Sequence, residues 1–192
     1  ELSGTGATSG TNFDNGVKLA VKEINAAGGI LGRKIEYTSG DTQSNPQIAK
    51  ALAQKAIDQG AYVVMGPVFS GSIIVSMAET KKAEIPNFTG GEAASITQQG
   101  NPYIFRTSFT QTTAMPKVAR YIASDLKAKT VADVRAFAAI GKGGRDTMVK
   151  ELDKLGVKVG ADISTDPGQV DFSGAVLRAK QSNADALFVY SN

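Results

Sequence analysis

The chain has 192 residues, 42% of them hydrophobic, which is enough for one large domain or for two lobes with separate cores. Its net charge is only +3 and the basic residues are scattered, so the composition argues against nucleic acid as a partner. The absence of Cys and His from the sequence excludes thiol nucleophiles, disulfides, His-ligated zinc and a Ser-His-Asp relay.

Helical and strand patterns alternate along the first half of the chain. Apolar residues recur with helical spacing after Thr11 and Asn12, either of which can cap this helix, and Gly28 can end it. A second helix is predicted from Pro46 to Gly60. The other predictions are a strand in "RKIEYTSGD", a strand buried on both faces in "AYVVMG", a helix in "SGSIIVSMAETKKA" and short strands in "EIPNFTG" and "PYIFRTS".

The second half repeats this alternation. Pro116 should lie in the first turn of the helix in "TTAMPKVARYIASDLKA". Strands are then predicted in "KTVADVRAFAA", "VKVGADIST" and "DALFVYSN", the last of them buried, and helices in "GKGGRDTMVKELDKLG" and "DFSGAVLRAKQSN". The alternation predicts an α/β fold of doubly wound parallel sheets, with ligands at the carboxyl ends of the strands.

Two segments depart from this regular pattern. Asp133 and Arg135 alternate in a strand that should be buried, so either they pair with neighbouring residues or the strand is an edge strand. The polar segment "RTSFTQTT", Arg106 to Thr113, lacks a hydrophobic period. This segment is either a boundary between two lobes or an ordinary loop within one sheet.

Two glycine-rich segments raise the question of nucleotide binding. A phosphate-binding P-loop ending at Gly141-Lys142 would need Gly at 136 and a hydroxyl at 143, where the sequence has Ala136 and Gly143. The better interpretation of "GKGG" is a glycine-rich entry into a helix. "SGTGATSG" is nearer to a dinucleotide turn, with Asp41 as the ribose-binding acid, although its third glycine is replaced by Ser9. The alternative is a polar loop that binds a small ligand.

Two strand ends are candidates for binding a small carboxylate. In "GPVFSGS", Ser70 follows a predicted strand and is placed to cap a helix, whose free N–H groups suit a carboxylate. The alternative is plain N-capping, and the two roles are compatible because a ligand can share the same N–H groups. In "NFTGGEAAS", Glu92 follows Gly90-Gly91 and either faces a ligand cation or is solvated.

Without Cys or His, catalysis would have to rest on other side chains, so an enzyme is less expected. We predict no catalytic residue, no cofactor and no metal. We find no secretory signal at the start and no apolar run long enough to span a bilayer, so the chain is mature, cytosolic or truncated.

The ordered motifs resemble a known family over nearly the whole chain. "LSGTGATSGTNFDNGVKLAVKEINAAGGILGRKIEYTSGD", "GPVFSGS", "NPYIFRTS", "IGKGGRD" and "DPGQVDFSGAVLRAKQSNADALFVY" follow one another as in the branched-chain amino-acid (Leu/Ile/Val-type) periplasmic binding proteins of ABC transporters. The resemblance implies two doubly wound, Rossmann-like lobes joined by a hinge, with the N-terminal lobe at 1–108 and part of the second at 109–192. It also implies that a strand precedes Glu1 and that the rest of the second lobe follows Asn192.

The function that the resemblance implies is binding without chemistry. We expect a periplasmic, monomeric protein that captures a small carboxylate-bearing ligand, a hydrophobic amino acid, in an interlobe cleft and delivers it to a membrane ABC permease. Two alternatives remain open, an NAD-dependent Rossmann oxidoreductase and a ligand-sensing receptor with the same lobes.

The resemblance also implies a set of ligand-binding positions. Ser70 matches the serine that binds the ligand carboxylate, whereas Glu92 stands where the family usually has a small hydroxyl residue. Ser9 and Ile140 stand at positions that are often aromatic, and the acid that binds the ligand ammonium would lie beyond Asn192. The expected ligand-binding residues are Ser9, Phe69, Ser70, Gly90, Gly91, Glu92 and Ile140.

Overall fold

The computed structural model describes residues 1–136, 139–166 and 168–191. The chain folds into two compact units. The first unit comprises Glu1–Gly91 and Ile96–Ser108, and the second comprises Glu92–Ser95 and Phe109–Asn192.

The first unit contains a parallel sheet and three helices among its described residues. Its strands, in sheet order, are β1 (Val64–Met65), β2 (Asn87–Thr89) and β3 (Ile104–Arg106). Its helices are α1 (Ala7–Ala26), α2 (Pro46–Asp58) and α3 (Ser70–Lys82), and a short 3₁₀ turn spans Ala94–Ile96 at the division between the units.

The described strands of the second unit also form a parallel sheet. β4 (Thr130–Ala136) lies between β5 (Lys158–Thr165) and β6 (Ala186–Tyr190). The helices are α4 (Gln111–Arg120), which continues as a π-helical turn over Tyr121–Asp125, α5 (Ala139–Lys154) and α6 (Ser173–Gln181). Val131 of β4 packs with Met148 and Leu152 of α5 in a core that excludes solvent from all three. Parallel strands covered by helices confirm the predicted α/β class.

Two predictions at the start of the chain are wrong. α1 begins at Ala7 with Gly6 as its N-cap, so Thr11 and Asn12 lie inside the helix. The segment "RKIEYTSGD", residues 33–41, is predicted as a strand that runs into a loop, but the structure has no strand there, and Arg33 forms only an isolated bridge with Ile30. The Asn25 side chain instead accepts a hydrogen bond from the Ile35 N–H at 2.7 Å and donates one to the Ile35 carbonyl at 2.9 Å. These two bonds replace those that a neighbouring strand would form with Ile35.

Two strands are less buried than the sequence predicts. β1 is an edge of its sheet, and the segment before and within it leaves Tyr62 and Met65 exposed. β6 is likewise an edge strand in the described sheet, and Leu187 and Val189 alternate outward on its exposed face. Burial on both faces requires covering layers that these two strands lack among the described residues.

Pro116 lies in the second turn of α4, not in the first as predicted. Proline has no N–H, so the helical hydrogen bond from position 116 to the Thr112 carbonyl cannot form. The helix continues beyond Pro116 and loosens into the π-helical turn at Tyr121.

The edge-strand interpretation of Asp133 and Arg135 is also wrong, because β4 is the central strand. Arg135 forms an ion pair with Asp162 on β5, which bears out pairing for that residue. Asp133 is buried, and neither of its carboxylate oxygens has a hydrogen-bond partner among the described residues. Among the same residues, the structure has no helix that is both long and apolar enough to cross a membrane.

Candidate functional site

Ser70 is the first residue of α3 and is buried, but it is not the N-cap residue that the sequence predicts. The N-cap is Phe69, whose carbonyl accepts the first helical hydrogen bond, from Ile73 N–H at 3.0 Å. Phe69 follows β1 and has the extended backbone of an N-cap residue. The first helical residue is therefore Ser70, one position earlier than if Ser70 were the cap. The hydroxyl of Ser70 therefore lies in the first helical turn, beside N–H groups that precede the intrahelical ladder.

The glycine turn after β2 lies against the start of α3. A Cβ atom at Gly91 would be 3.2 Å from Ser70 Oγ and would overlap the Ile73 side chain, so only glycine fits this approach. The Gly91 carbonyl accepts hydrogen bonds from the Arg106 guanidinium and, at 3.3 Å, from the Ser108 hydroxyl. The structure thus brings Ser70 and Gly91 together within the first unit, with the Gly91 carbonyl already bonded to protein.

Gly90 and Phe69 occupy neighbouring positions in this unit. A Cβ at Gly90 would be 3.4 Å from Val68, directly before Phe69. The Phe69 ring lies against the loop before α1, because a Cβ at Gly6 would be 2.7 Å from Phe69 Cζ. Ser9 is exposed in the first turn of that helix.

Asp41 anchors the loop that leads into α1. Its Oδ1 accepts the N–H groups of Leu2, Ser3 and Gln43 at 2.8, 3.0 and 2.9 Å, and its Oδ2 accepts the Ser3 hydroxyl at 2.6 Å. The Ser3 hydroxyl, together with the backbone N–H groups, lowers the pKa of Asp41 to about 2. The carboxylate is thus occupied by the protein's own backbone, which argues against its predicted alternative role as a ribose-binding acid.

A second polar cluster joins Glu92 and Ile140 within the second unit. The Tyr190 hydroxyl donates to Glu92 Oε2 at 2.8 Å, and Gln111 Nε2 donates to the Ile140 carbonyl at 2.5 Å and to the Tyr190 oxygen at 3.3 Å. Gln111 is completely buried, whereas Glu92 and Ile140 are partly exposed. We call Glu92, Gln111, Ile140 and Tyr190 the Gln111 cluster.

The "GKGG" segment lies inside the first turns of α5 and supports this cluster. A Cβ at Gly143 would be 2.5 Å from Gln111 Oε1, and one at Gly144 would overlap the Tyr190 ring. Because Gly143 and Gly144 have no side chains, they leave room for those of Gln111 and Tyr190. This packing favours the helix-entry interpretation over a phosphate loop.

Gln111, Tyr190 and Arg106 were not predicted as site residues. They form hydrogen bonds with the candidate ligand-binding residues Ile140, Glu92 and Gly91, respectively. A glutamine or tyrosine near a strand end has no distinctive spacing, and an arginine in a β-strand is ordinarily interpreted as surface charge. The glycine pair was the available signal, because paired glycines within a helix indicate a close neighbour. Among the described residues, no cluster of acidic side chains is suited to hold a metal ion.

Three known proteins illustrate what the chain is similar to. The Leu/Ile/Val-binding protein BraC3 of Rhizobium johnstonii is 31% identical over 188 residues, which cover 97% of this chain and 51% of BraC3. The branched-chain amino acid transporter substrate binding protein LivJ of Streptococcus pneumoniae, solved in complex with isoleucine, has a TM-score of 0.90 at 29% identity, covering 98% of this chain and 54% of LivJ. A solute binding protein of an ABC transporter from Rhodopseudomonas palustris BisB5, in complex with 3,4-dihydroxybenzoic acid, has a TM-score of 0.90 at 26% identity. The match covers 99% of this chain and 52% of that protein.

The chain spans about half the length of the curated relatives it matches. These relatives are named as binding proteins, and they give the NAD-dependent oxidoreductase alternative no support. The family described as periplasmic binding protein matches residues 1–192, the whole of the sequence. The chain therefore belongs to the periplasmic binding protein family.

Proposed function

We propose that the chain is part of a periplasmic solute-binding protein that captures a small carboxylate-bearing ligand and delivers it to a membrane ABC importer. The preferred ligand is a hydrophobic amino acid, and the protein acts as a monomer without catalysing a reaction. The observation that carries this proposal is the close approach of Gly91 to Ser70 at the start of α3. The solved complex of LivJ with isoleucine supports the ligand class.

The start of α3 has the chemistry that a carboxylate requires. The first N–H groups of an α-helix have no intrahelical partners, and the helix dipole adds a partial positive charge there. Gly91 uses its carbonyl to bind Arg106 and Ser108, which leaves its N–H as the backbone group that can face an anion. Backbone and hydroxyl donors of this kind bind a carboxylate without a cationic side chain.

The proposal assigns the ligand contacts to both parts of the chain. Residues 1–108 and 109–192 act as ligand-binding lobes. Ser70, Gly90 and Gly91 hold the carboxylate, and the remaining contacts come from Ser9, Phe69, Glu92 and Ile140.

Thermal unfolding of the full-length protein with candidate ligands tests the proposal. Leucine or isoleucine should raise the melting temperature in a concentration-dependent manner, because a ligand that binds only the native state stabilises it by mass action. 4-Hydroxybenzoate tests the aromatic carboxylates suggested by the Rhodopseudomonas neighbour, and NAD tests the oxidoreductase alternative. Stabilisation by NAD and by none of the carboxylates would refute the proposal.

A further inference from the structure

The backbone of the glycine turn after β2 has one N–H group without a partner. The Gly90 N–H donates to the Pro67 carbonyl at 3.3 Å, and the Gly91 carbonyl accepts hydrogen bonds from the Arg106 guanidinium and, at 3.3 Å, from the Ser108 hydroxyl. Among the described residues, the Gly91 N–H has no acceptor, although Gly91 is buried. Because buried N–H groups are nearly always paired, this N–H is the group of the turn that a bound anion would satisfy.

Arg106 connects the glycine turn to the residue that follows the 3₁₀ turn. Its guanidinium donates to the Gly91 carbonyl and, at 3.2 Å, to the Thr97 hydroxyl. A guanidinium is planar and presents its N–H groups in a fixed arrangement, so the two acceptors bonded to it are also fixed relative to each other. Arg106 therefore restrains Gly91 from the side of its carbonyl.

The backbone of Arg106 is in turn fixed by the sheet. Arg106 lies beside Thr89 in the parallel register of β2 and β3, and the next residue, Thr107, donates its N–H to the Thr89 carbonyl at 2.9 Å. Thr89 is completely buried. The Arg106 side chain thus extends from a fixed point of the sheet to the turn that follows β2.

Apolar side chains confine Gly91 against α3. A Cβ atom at Gly91 would overlap the side chains of Ile73 and Ile96, both completely buried, and would be 3.2 Å from Ser70 Oγ. The turn therefore has no room to move closer to α3. A displacement of the turn after loss of Arg106 would take the Gly91 N–H away from Ser70.

We propose that Arg106 is a positioning residue for the carboxylate site, because it sets the distance between the Gly91 N–H and the first turn of α3. This inference rests on the proposed function and extends it to a residue that acts through the Gly91 backbone instead of contacting the ligand. Every contact that carries it lies within the first unit.

A double-mutant cycle on the full-length protein, with leucine affinity measured by calorimetry, tests the positioning role. Arg106→Lys keeps the positive charge but loses the planar geometry that bonds Gly91 and Thr97 together, and it should weaken leucine binding by about tenfold. Ser70→Ala should have a similar effect, so independent effects would give a loss of about 100-fold in the double variant. We expect a loss of only about 10- to 30-fold, because a carboxylate displaced from one donor gains less from the other.

Thr97→Val tests the same link without changing Arg106. It removes the hydroxyl that accepts from the guanidinium and keeps a β-branched side chain at an exposed position, so the fold should persist. We expect it to weaken leucine binding by about threefold. Arg33→Lys is the matched control and should leave the affinity unchanged, because Arg33 is exposed and has no ion pair in the part of the chain that the structure describes.

The outcomes separate this inference from the proposed function. If the wild-type protein binds leucine but Arg106→Lys binds it equally well, or if the double variant shows the full product of the single effects, Arg106 is merely structural and the proposed function stands. If Arg106→Lys does not fold, an unchanged leucine affinity of Thr97→Val overturns the inference. A loss of affinity in Arg33→Lys as large as that in Arg106→Lys would also overturn it. A wild-type protein that binds no leucine contradicts the proposed function itself, and the inference falls with it.

Discussion

The Tyr190 ring packs directly on the backbone of Gly144, so closely that a Cβ atom there would overlap two ring carbons. Gly143, one residue earlier, admits the Gln111 side chain in the same way. The glycine pair in the first turns of α5 therefore allows close packing within the second unit.

Gly144→Ala should destabilise the protein by about 1–3 kcal/mol, because the added methyl group must displace an aromatic ring. This cost exceeds the gain of up to about 1 kcal/mol that alanine brings to a helix. Chemical denaturation of the variant measures the change. Gly174→Ala in α6, where a Cβ meets no atom within 4 Å, is the control and should be neutral or stabilising. Equal effects of the two substitutions would contradict the packing role of Gly144.

Asp133 should make the stability of the second unit depend on pH. Burial raises the pKa of Asp133 from 3.8 to about 6, opposed by Arg135 and Arg145 and reinforced by Asp162. A carboxyl whose folded-state pKa is raised stabilises the fold below its unfolded pKa, and this contribution is lost as the pH rises through about 6. The free energy of unfolding of Asp133→Asn should therefore rise by about 2 kcal/mol relative to that of the wild type between pH 4 and pH 7.5.

Unfolding of wild type and Asp133→Asn at several pH values measures this difference. Asp153→Asn, at an exposed position of α5, is the control and should follow the wild-type pH dependence. A difference between wild type and Asp133→Asn that is independent of pH would show that Asp133 does not change its protonation state in this range.

Asp41→Ala should release the loop before α1, because four hydrogen bonds from Leu2, Ser3 and Gln43 end on this carboxylate. Hydrogen exchange at the amides of Leu2 and Ser3 should become faster, while exchange in α3 should not change. Asp58→Ala, which loses only a local bond from Gln54, is the control. Unaltered exchange at Leu2 and Ser3 would show that the loop is held by other contacts.

Ser70→Ala should weaken the binding of a carboxylate ligand by about tenfold, since it removes one hydroxyl donor and leaves the backbone donors in place. Ser76→Ala is a matched control on the same helix, because Ser76 is also buried and its hydroxyl donates to the Ile73 carbonyl within the helix. Calorimetric titration with leucine compares the two variants. If Ser76→Ala weakens binding as much as Ser70→Ala, the loss reflects the helix rather than the ligand contact.

The alternation of helices and strands was predictable because periodicity records which faces are buried. It predicted β4 and β5 closely and each of the α-helices α1 to α6 among the described residues, and the turn residues Gly28 and Gly60 mark the ends of α1 and α2 as expected. It failed at residues 33–41, since a strand exists only if a partner strand pairs with it. The predicted burial of β1 and β6 was wrong for a related reason, because the burial of a strand depends on the layers that pack against it.

The candidate site was predictable only in part. Ser70 and the glycine turn follow strand ends, and topology brings such ends together, so their proximity could be inferred from chain order. The Gln111 cluster depends on contacts between residues up to 98 positions apart, such as Tyr190 with Glu92, and no local pattern records them. The N-cap residue of α3 was also predicted wrongly. Serine is favoured at an N-cap, but the N-cap in the structure is Phe69.

The requirement for a ligand carboxylate is tested most directly by titrating the full-length protein with leucine and with 3-methylbutylamine, which has the same side chain and nitrogen but no carboxylate. We predict saturable 1:1 binding of leucine and loss of binding for the amine. Equal binding of the two compounds, or binding of neither, would contradict a carboxylate site at Ser70 and Gly91.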